Sequence, residues 1–151
     1  MSETPTPPAP AEPSAKVRAL DRLVGTWQVS GGVEGTVRYE WASGKFFLLQ
    51  HVELRQDGMD IRGLEVIGHL FNPFAGHEAP SEDVWSRFYD NQGNTLDYVY
   101  EIEGDTLTIW GGEKGSPAYM RGTFDADGTT MESEWVYPGG GGYKSVMTRV
   151  E

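Results

Sequence analysis

From residue 26 to the end of the chain, apolar and polar side chains alternate with a period of two, in short runs broken by turn dipeptides. Alternation at that period marks half-buried strands. The runs predict strands over 26–30, 34–42, 45–55, 59–70, 83–90, 95–102, 105–111, 117–125, 129–137 and 143–150. Between them stand Gly31–Gly32, Ser43–Gly44, Asp57–Gly58, a longer loop 71–82, Asn91–Gln92–Gly93–Asn94, Glu103–Gly104, a loop 112–116, Asp127–Gly128 and Gly139–Gly142. Asp-Gly between alternating runs is the strongest short-range hairpin signal. Strands joined this tightly predict an all-β, up-and-down antiparallel barrel of about ten strands, because closure removes the exposed edges. The competing arrangement is an open sandwich of the same strands.

Upstream the period changes. Val17, Leu20, Leu23 and Val24 recur three or four apart, behind a Ser14 able to cap a helix, and Gly25 stops the run. Residues 1–13 hold most of the chain's nine prolines and no large apolar residue after Met1. Such a segment buries too little surface to offset its ordering entropy, so a disordered tail is expected there, followed by one domain over 14–151.

Tight hairpin turns fix register, and register fixes which side chains share a face. Around Ser43–Gly44, Trp41 is expected opposite Phe46, Tyr39 opposite Leu48 and Val37 opposite Gln50. Around Asp57–Gly58, Leu54 opposes Ile61 and Gln50 opposes Glu65, while Glu53 faces Arg62 and Arg55 faces Asp60 on the reverse side. Opposite charges across a pair belong to a wet surface. Phe46, Leu48, Gln50, Val52, Glu65, Ile67 and His69 are therefore expected inside, and His51 outside. Asp127–Gly128 sets Phe124 against Met131 and Met120 against Trp135, with Arg121 facing Glu134 outside; Glu103–Gly104 sets Tyr100 against Leu107 and Tyr98 against Ile109. If 91–94 is a four-residue turn, Trp85, Arg87 and Tyr89 share the inner face, and on the last strand Tyr143, Ser145, Met147 and Arg149 alternate together.

That inner face is too polar for a plain core. An unpaired buried polar group costs about 1–3 kcal/mol, and a barrel of this many strands is wider than its side chains easily fill. Together these point to a cavity that takes a ligand. Its expected lining is Tyr39, Trp41, Leu48, Gln50, Glu65 and His69 from the first half of the chain. Trp85, Arg87, Tyr89, Tyr98 and Tyr100 follow, then Met120, Trp135, Tyr143 and Met147. Aromatic faces with hydroxyl donors suit a planar, mostly apolar molecule. Three of these residues carry possible chemistry. Glu65 and His69 lie four apart on one expected face, where a buried carboxylate would raise the histidine's pKa for acid–base work; the alternative is a hydrogen-bonded structural cluster. Arg87 could orient an anionic or carbonyl-bearing ligand, or pair with Glu65 or a neighbouring ring.

Composition narrows the partners. A formal net charge of −11 repels phosphate backbones and anionic lipids, so nucleic acid and membrane surfaces are not expected partners. With no cysteine there is no disulfide framework or thiolate chemistry. His51, His69 and His77 lack metal-ligand spacing, so no metal is expected, and the glycine run 139–142 leads into a strand rather than the helix of a phosphate site. No apolar run approaches ~18 residues, and the first residues show no basic-then-apolar leader, so a cytoplasmic protein is expected, monomer or homodimer.

Gly25–Thr26–Trp27 near the start and Thr148–Arg149–Val150 at the end resemble the lipocalin and fatty-acid-binding (calycin) superfamily, in which such a tryptophan packs under an arginine of the last strand. Leu23–Val24–Gly25–Thr26–Trp27, Glu40–Trp41–Ala42–Ser43–Gly44–Lys45–Phe46, Gly63–Leu64–Glu65–Val66–Ile67–Gly68 and Gly104–Asp105–Thr106–Leu107–Thr108 are similar to an uncharacterised bacterial lipocalin-like family of that superfamily. The resemblance covers about residues 17–151 and implies a barrel whose short N-terminal helix plugs one mouth. In fatty-acid-binding proteins the last-strand arginine and a tyrosine two residues on hold a carboxylate; here Glu151 stands at the second position. Nitrobindin, a related ten-stranded barrel, binds haem through a late histidine, and this chain has none after His77. The expected function is cofactor-free binding of a small, largely apolar or aromatic molecule. The alternatives are a non-redox enzyme (cyclase, isomerase or hydrolase) using His69, Glu65 or Arg87, and a haem-binding barrel with His69 as an unusual ligand.

Overall fold

The computed structural model describes residues 12–150; the expected tail lies, up to residue 11, outside the described residues. The strands are β1 (Gly25–Gly31), β2 (Glu34–Trp41), β3 (Leu48–Gln56), β4 (Met59–Gly68), β5 (Val84–Asp90), β6 (Thr95–Glu103), β7 (Thr106–Trp110), β8 (Tyr119–Phe124), β9 (Thr130–Val136) and β10 (Tyr143–Arg149). Each pairs antiparallel with its sequence neighbours, and β1 also pairs with β10, so the sheet closes into a ten-stranded barrel without an edge. The expected barrel is the fold.

Helix α1 (Ala15–Arg18) continues as a 3-10 turn over Ala19–Leu23, and the Ser14 hydroxyl caps it by accepting from the Val17 N–H at 3.2 Å. Val17, Leu20 and Leu23 are buried against the strands, which closes one end of the barrel. Each such side chain contributes roughly 1.5–3 kcal/mol by leaving water. A helix terminus leaves carbonyls without partners, and here the barrel supplies the donors. Trp27 Nε1 donates to Leu23 O at 2.8 Å, and Arg149 donates to Arg22 O at 2.6 Å and to Val24 O. Trp27 and Arg149 face each other across β1 and β10, the guanidinium carbon 4.2 Å from the indole centre. Arg149 is thereby engaged by main chain and ring at the plugged end.

At Asp57–Gly58 both residues take positive φ, 53° and 77°, as a two-residue hairpin turn requires, and every pair expected across β3 and β4 is present. The pairs across β8 and β9 are likewise as expected. Two hairpins shift by two residues. Trp41 pairs with Leu48, Tyr39 with Gln50 and Val37 with Val52, because the β2–β3 connection is a wider loop closed by Ala42 N–H to Phe47 O at 2.9 Å. Phe46 therefore sits on that loop, 36% exposed, rather than inside. Across β6 and β7, Tyr100 pairs with Ile109 instead of Leu107. A shift of two leaves every side chain on its expected face.

The third correction is of one residue, and it inverts a strand. Tyr89 pairs with Thr95, which places Ser86 opposite Tyr98 and Phe88 opposite Leu96. Asp90 ends β5, pairing with Gly63 of β4, and on the β6 side its N–H donates to Asn94 O at 3.1 Å while its carboxylate accepts from the Gln92 and Asn94 N–H groups, each at 2.9 Å. This register, one residue away from the expected one, sends Val84, Ser86 and Phe88 inward and leaves Trp85, Arg87 and Tyr89 on the outer face.

Candidate functional site

Up-and-down topology gathers alternate connections at opposite ends of the barrel. The helix, the β2–β3 loop, the long β4–β5 connection and Arg149 gather at the plugged end. The turns β1–β2, β3–β4, β5–β6, β7–β8 and β9–β10 gather at the other, where a cavity of about 440 Å³ opens. Its mouth is formed by Val33, Met59, Asn91, Gln92, Ala118 and Tyr137, all in or beside those turns.

The interior descends in layers. Along one wall Tyr98 and Trp135 meet edge to face with ring centres 6.0 Å apart, and Trp135 stacks on Tyr137 at 6.0 Å and 16°. Tyr143, paired across from Trp135, continues that wall. Opposite it lie Val37, Val52, Leu54, Ile61 and Phe88. The ring of Phe88 reaches inward because β4 has a glycine beside it: a Cβ on Gly63 would meet Phe88 Cε1 at 2.6 Å and Tyr89 O at 2.2 Å. Below the cavity Leu48 and Ile67, both fully buried, separate it from the helical plug.

The floor is polar. Tyr39, Gln50, Glu65 and Phe88 form one row of cross-strand neighbours over β2 to β5. Glu65 is 3% exposed; Tyr100 donates its hydroxyl to Oε1 at 2.6 Å and Ser86 donates to Oε2 at 2.6 Å. Gln50 Nε2 donates to the Tyr39 hydroxyl at 2.7 Å. Burial pushes the Glu65 carboxyl above the ordinary glutamate range, against the two hydroxyl donors that pull it down. Burial, reinforced by the nearby Glu65 charge, also pushes the Tyr39, Tyr98 and Tyr100 phenols up, and burial raises Tyr143 to about 12. At the rim, the Asn94 and Gln92 donors hold Asp90 below the usual aspartate range.

Of the side chains expected to line a cavity, Tyr39, Gln50, Glu65, Tyr98 and Tyr100 do so, as do Met120, Trp135, Tyr143 and Met147. Leu48 faces inward but lies beneath the floor, and Trp41 is partly buried at the plugged end, donating Nε1 to Asp21 Oδ1 at 2.8 Å. Trp85 and Tyr89 are outside with the inverted face of β5. Arg87 is exposed and makes two hydrogen bonds to Asp97, Nε to Oδ1 at 2.7 Å and Nη2 to Oδ2 at 3.1 Å.

His69 is also displaced. β4 ends at Gly68, and the His69 ring bonds Ser14 Oγ at 2.7 Å through Nε2 and Ser81 O at 2.7 Å through Nδ1. It ties the helix cap to the β4–β5 connection, away from the cavity. The expected Glu65–His69 acid–base pair does not form, and His69 supplies no axial ligand to the cavity. His51, outside as expected, meets Glu40 Oε2 at 2.6 Å. Among the described residues no helix is long and apolar enough to cross a membrane.

Sequence reasoning missed Ser86, Phe88 and Asp90, all through the inversion of β5. The signal was present: Arg87 falls opposite Asp97, the same wet-face pattern as Glu53 opposite Arg62. No protein-family model and no curated protein matches the chain.

Proposed function

We propose that the barrel binds a small, largely apolar or aromatic molecule between the Tyr98–Trp135 wall and the Glu65 floor. One observation carries this reading: an open cavity of about 440 Å³ lined mostly by apolar and aromatic side chains, with a few convergent polar groups at its base. The kinship proposed is with calycins, supported by the closed ten-stranded wall and the Arg149–Trp27 contact under the helical plug. An acidic, cysteine-free chain suits a cytoplasmic carrier.

The test uses Nile red, a neutral dye whose emission changes in apolar surroundings. The expected result is saturable, one-to-one binding with a rise in melting temperature, since a ligand at 100 times its Kd adds about 2.7 kcal/mol of stability. Ser145→Phe fills the cavity from β10, where Ser145 and Ser133 meet at 2.9 Å. Dye affinity should fall at least ~10-fold in that variant, which costs only about 1–3 kcal/mol in overpacking. Absence of any saturable binding of neutral apolar dyes by the parent protein ends the proposal.

A further inference from the structure

The charges lining the cavity are of one sign. Glu65 at the floor and Asp90 at the rim line it, and among the described residues no Lys, Arg or His does. The basic side chains expected on the inner face are committed elsewhere: Arg149 to the helix carbonyls, Arg87 to Asp97 outside, and His69 to Ser14 and Ser81. A buried ionised group without an opposite charge is costly, and an anion brought in beside it would add to the cost.

The hydrogen-bonding inventory agrees. A carboxylate offers about four lone-pair sites, and Tyr100 and Ser86 take one on each oxygen of Glu65. Each oxygen keeps a site, and Gln50, whose amide N–H is given to Tyr39, adds its carbonyl. The floor is therefore rich in acceptors. Tyr98, Tyr100 and Trp135 line the same cavity, and aromatic rings of this kind attract cations. Asp90 at the mouth and the chain's net charge of −11 favour the approach of positive molecules.

We infer that the molecule taken up is an organic cation: an amine whose protonated nitrogen pairs with Glu65 and whose apolar or aromatic body lies against Tyr98 and Trp135. This rests on the binding function proposed above and names its ligand class. Three probes of one skeleton test it near neutral pH: 2-(2-naphthyl)ethylamine, 2-(2-naphthyl)ethanol and 2-naphthylacetate, measured by calorimetry and by Nile red displacement. The amine should bind at least ~10-fold more tightly than the alcohol, about 1.4 kcal/mol, and the carboxylate more weakly than the alcohol. In Glu65→Gln the amine-to-alcohol ratio should collapse to within about threefold. Equal binding of amine and alcohol by the parent protein, or an amine preference that survives in Glu65→Gln, overturns the inference and leaves the binding proposal standing. Binding of Nile red but of none of the three probes overturns it as well. Failure of Nile red and all three together removes both. Should Glu65→Gln not fold, the comparison of probes on the parent protein decides.

Discussion

Arg149 at the plugged end and Glu65 at the cavity floor are both ionisable side chains turned toward the interior of one wall of strands, and they are held in different ways. The guanidinium lies on Trp27 and donates to the carbonyls that the 3-10 turn leaves open. These contacts fasten the plug to the strands. Around Glu65 the partners are hydroxyls, with no opposite charge among the described residues, and the side chain borders open space. A charged group whose contacts all fasten one element to another is structural. One that is hydrogen-bonded, uncompensated and facing a cavity is where the proposed ligand would find its partner. The barrel is divided accordingly, a packed half that holds the fold and a hollow half that the proposed ligand would fill.

The largest effect should come from breaking the packed half. Trp27 is fully buried under Arg149 and tilts against Phe124 with ring centres 6.3 Å apart. Trp27→Ala should cost about 3–5 kcal/mol, read as a fall in the urea midpoint, while the molecules that remain folded still bind Nile red. Equal loss of stability from filling the cavity with Ser145→Phe would erase the distinction between the halves.

How far the sequence reveals this division depends on parity. The strand count and the Gln50–Glu65 floor pair follow from alternation and turn dipeptides alone, whereas the Trp27–Arg149 contact is expected only from the family resemblance. The β2–β3 and β6–β7 hairpins slip by two residues from their expected registers, and the period of a strand forgives that. The β5–β6 register moves by one residue, and that is not forgiven, so Arg87 moves outside and Phe88 takes its place. What alternation could not reveal is where a strand stops. His69 continues the inward rhythm of β4, but β4 ends at Gly68, where Phe47 packs so closely that a Cβ would meet its Cδ1 at 2.4 Å. The cavity itself was legible as an excess of polar inner positions. Its one-signed charge was not, since that required knowing that Arg87 and His69 lie elsewhere.

A smaller effect sharpens the comparison at the floor. Because burial raises the Glu65 pKa in the folded protein, the folded state holds its proton to higher pH than the unfolded chain does. Its contribution is fully present below the ordinary value of 4.5 and is lost as pH rises through the raised one. Glu40, Asp90, Asp97 and Asp125 are shifted down and act oppositely, losing stability as pH falls. Glu65→Gln removes the first slope and keeps the second. Plotted as a difference, variant minus parent, stability should therefore climb from about pH 4.5 upward; a flat difference would mean that Glu65 titrates as an exposed carboxylate. The groups facing it from β2 and β6 are Tyr39, Tyr98 and Tyr100, whose raised pKa values keep them neutral over this range.

The smallest effect belongs to Arg87, and its smallness is informative. In the inward arrangement expected from a four-residue turn, Arg87 would be the cavity's cation, and its loss would abolish binding of anions and relieve repulsion of amines. In the structure its guanidinium is outside, in two hydrogen bonds to Asp97 across β5 and β6, where water screens the pair. Arg87→Ala should then leave the ranking of naphthyl amine, alcohol and carboxylate untouched and lower the urea midpoint only slightly. Asp97→Ala should do the same, and the double variant should lose little more than either single one, because each partner's role is spent on the other. A change in probe ranking with Arg87→Ala alone would return the side chain to the interior. The β5–β6 register would then have to move by one residue, the cavity would hold both signs of charge, and the case for a cationic ligand would lose its ground.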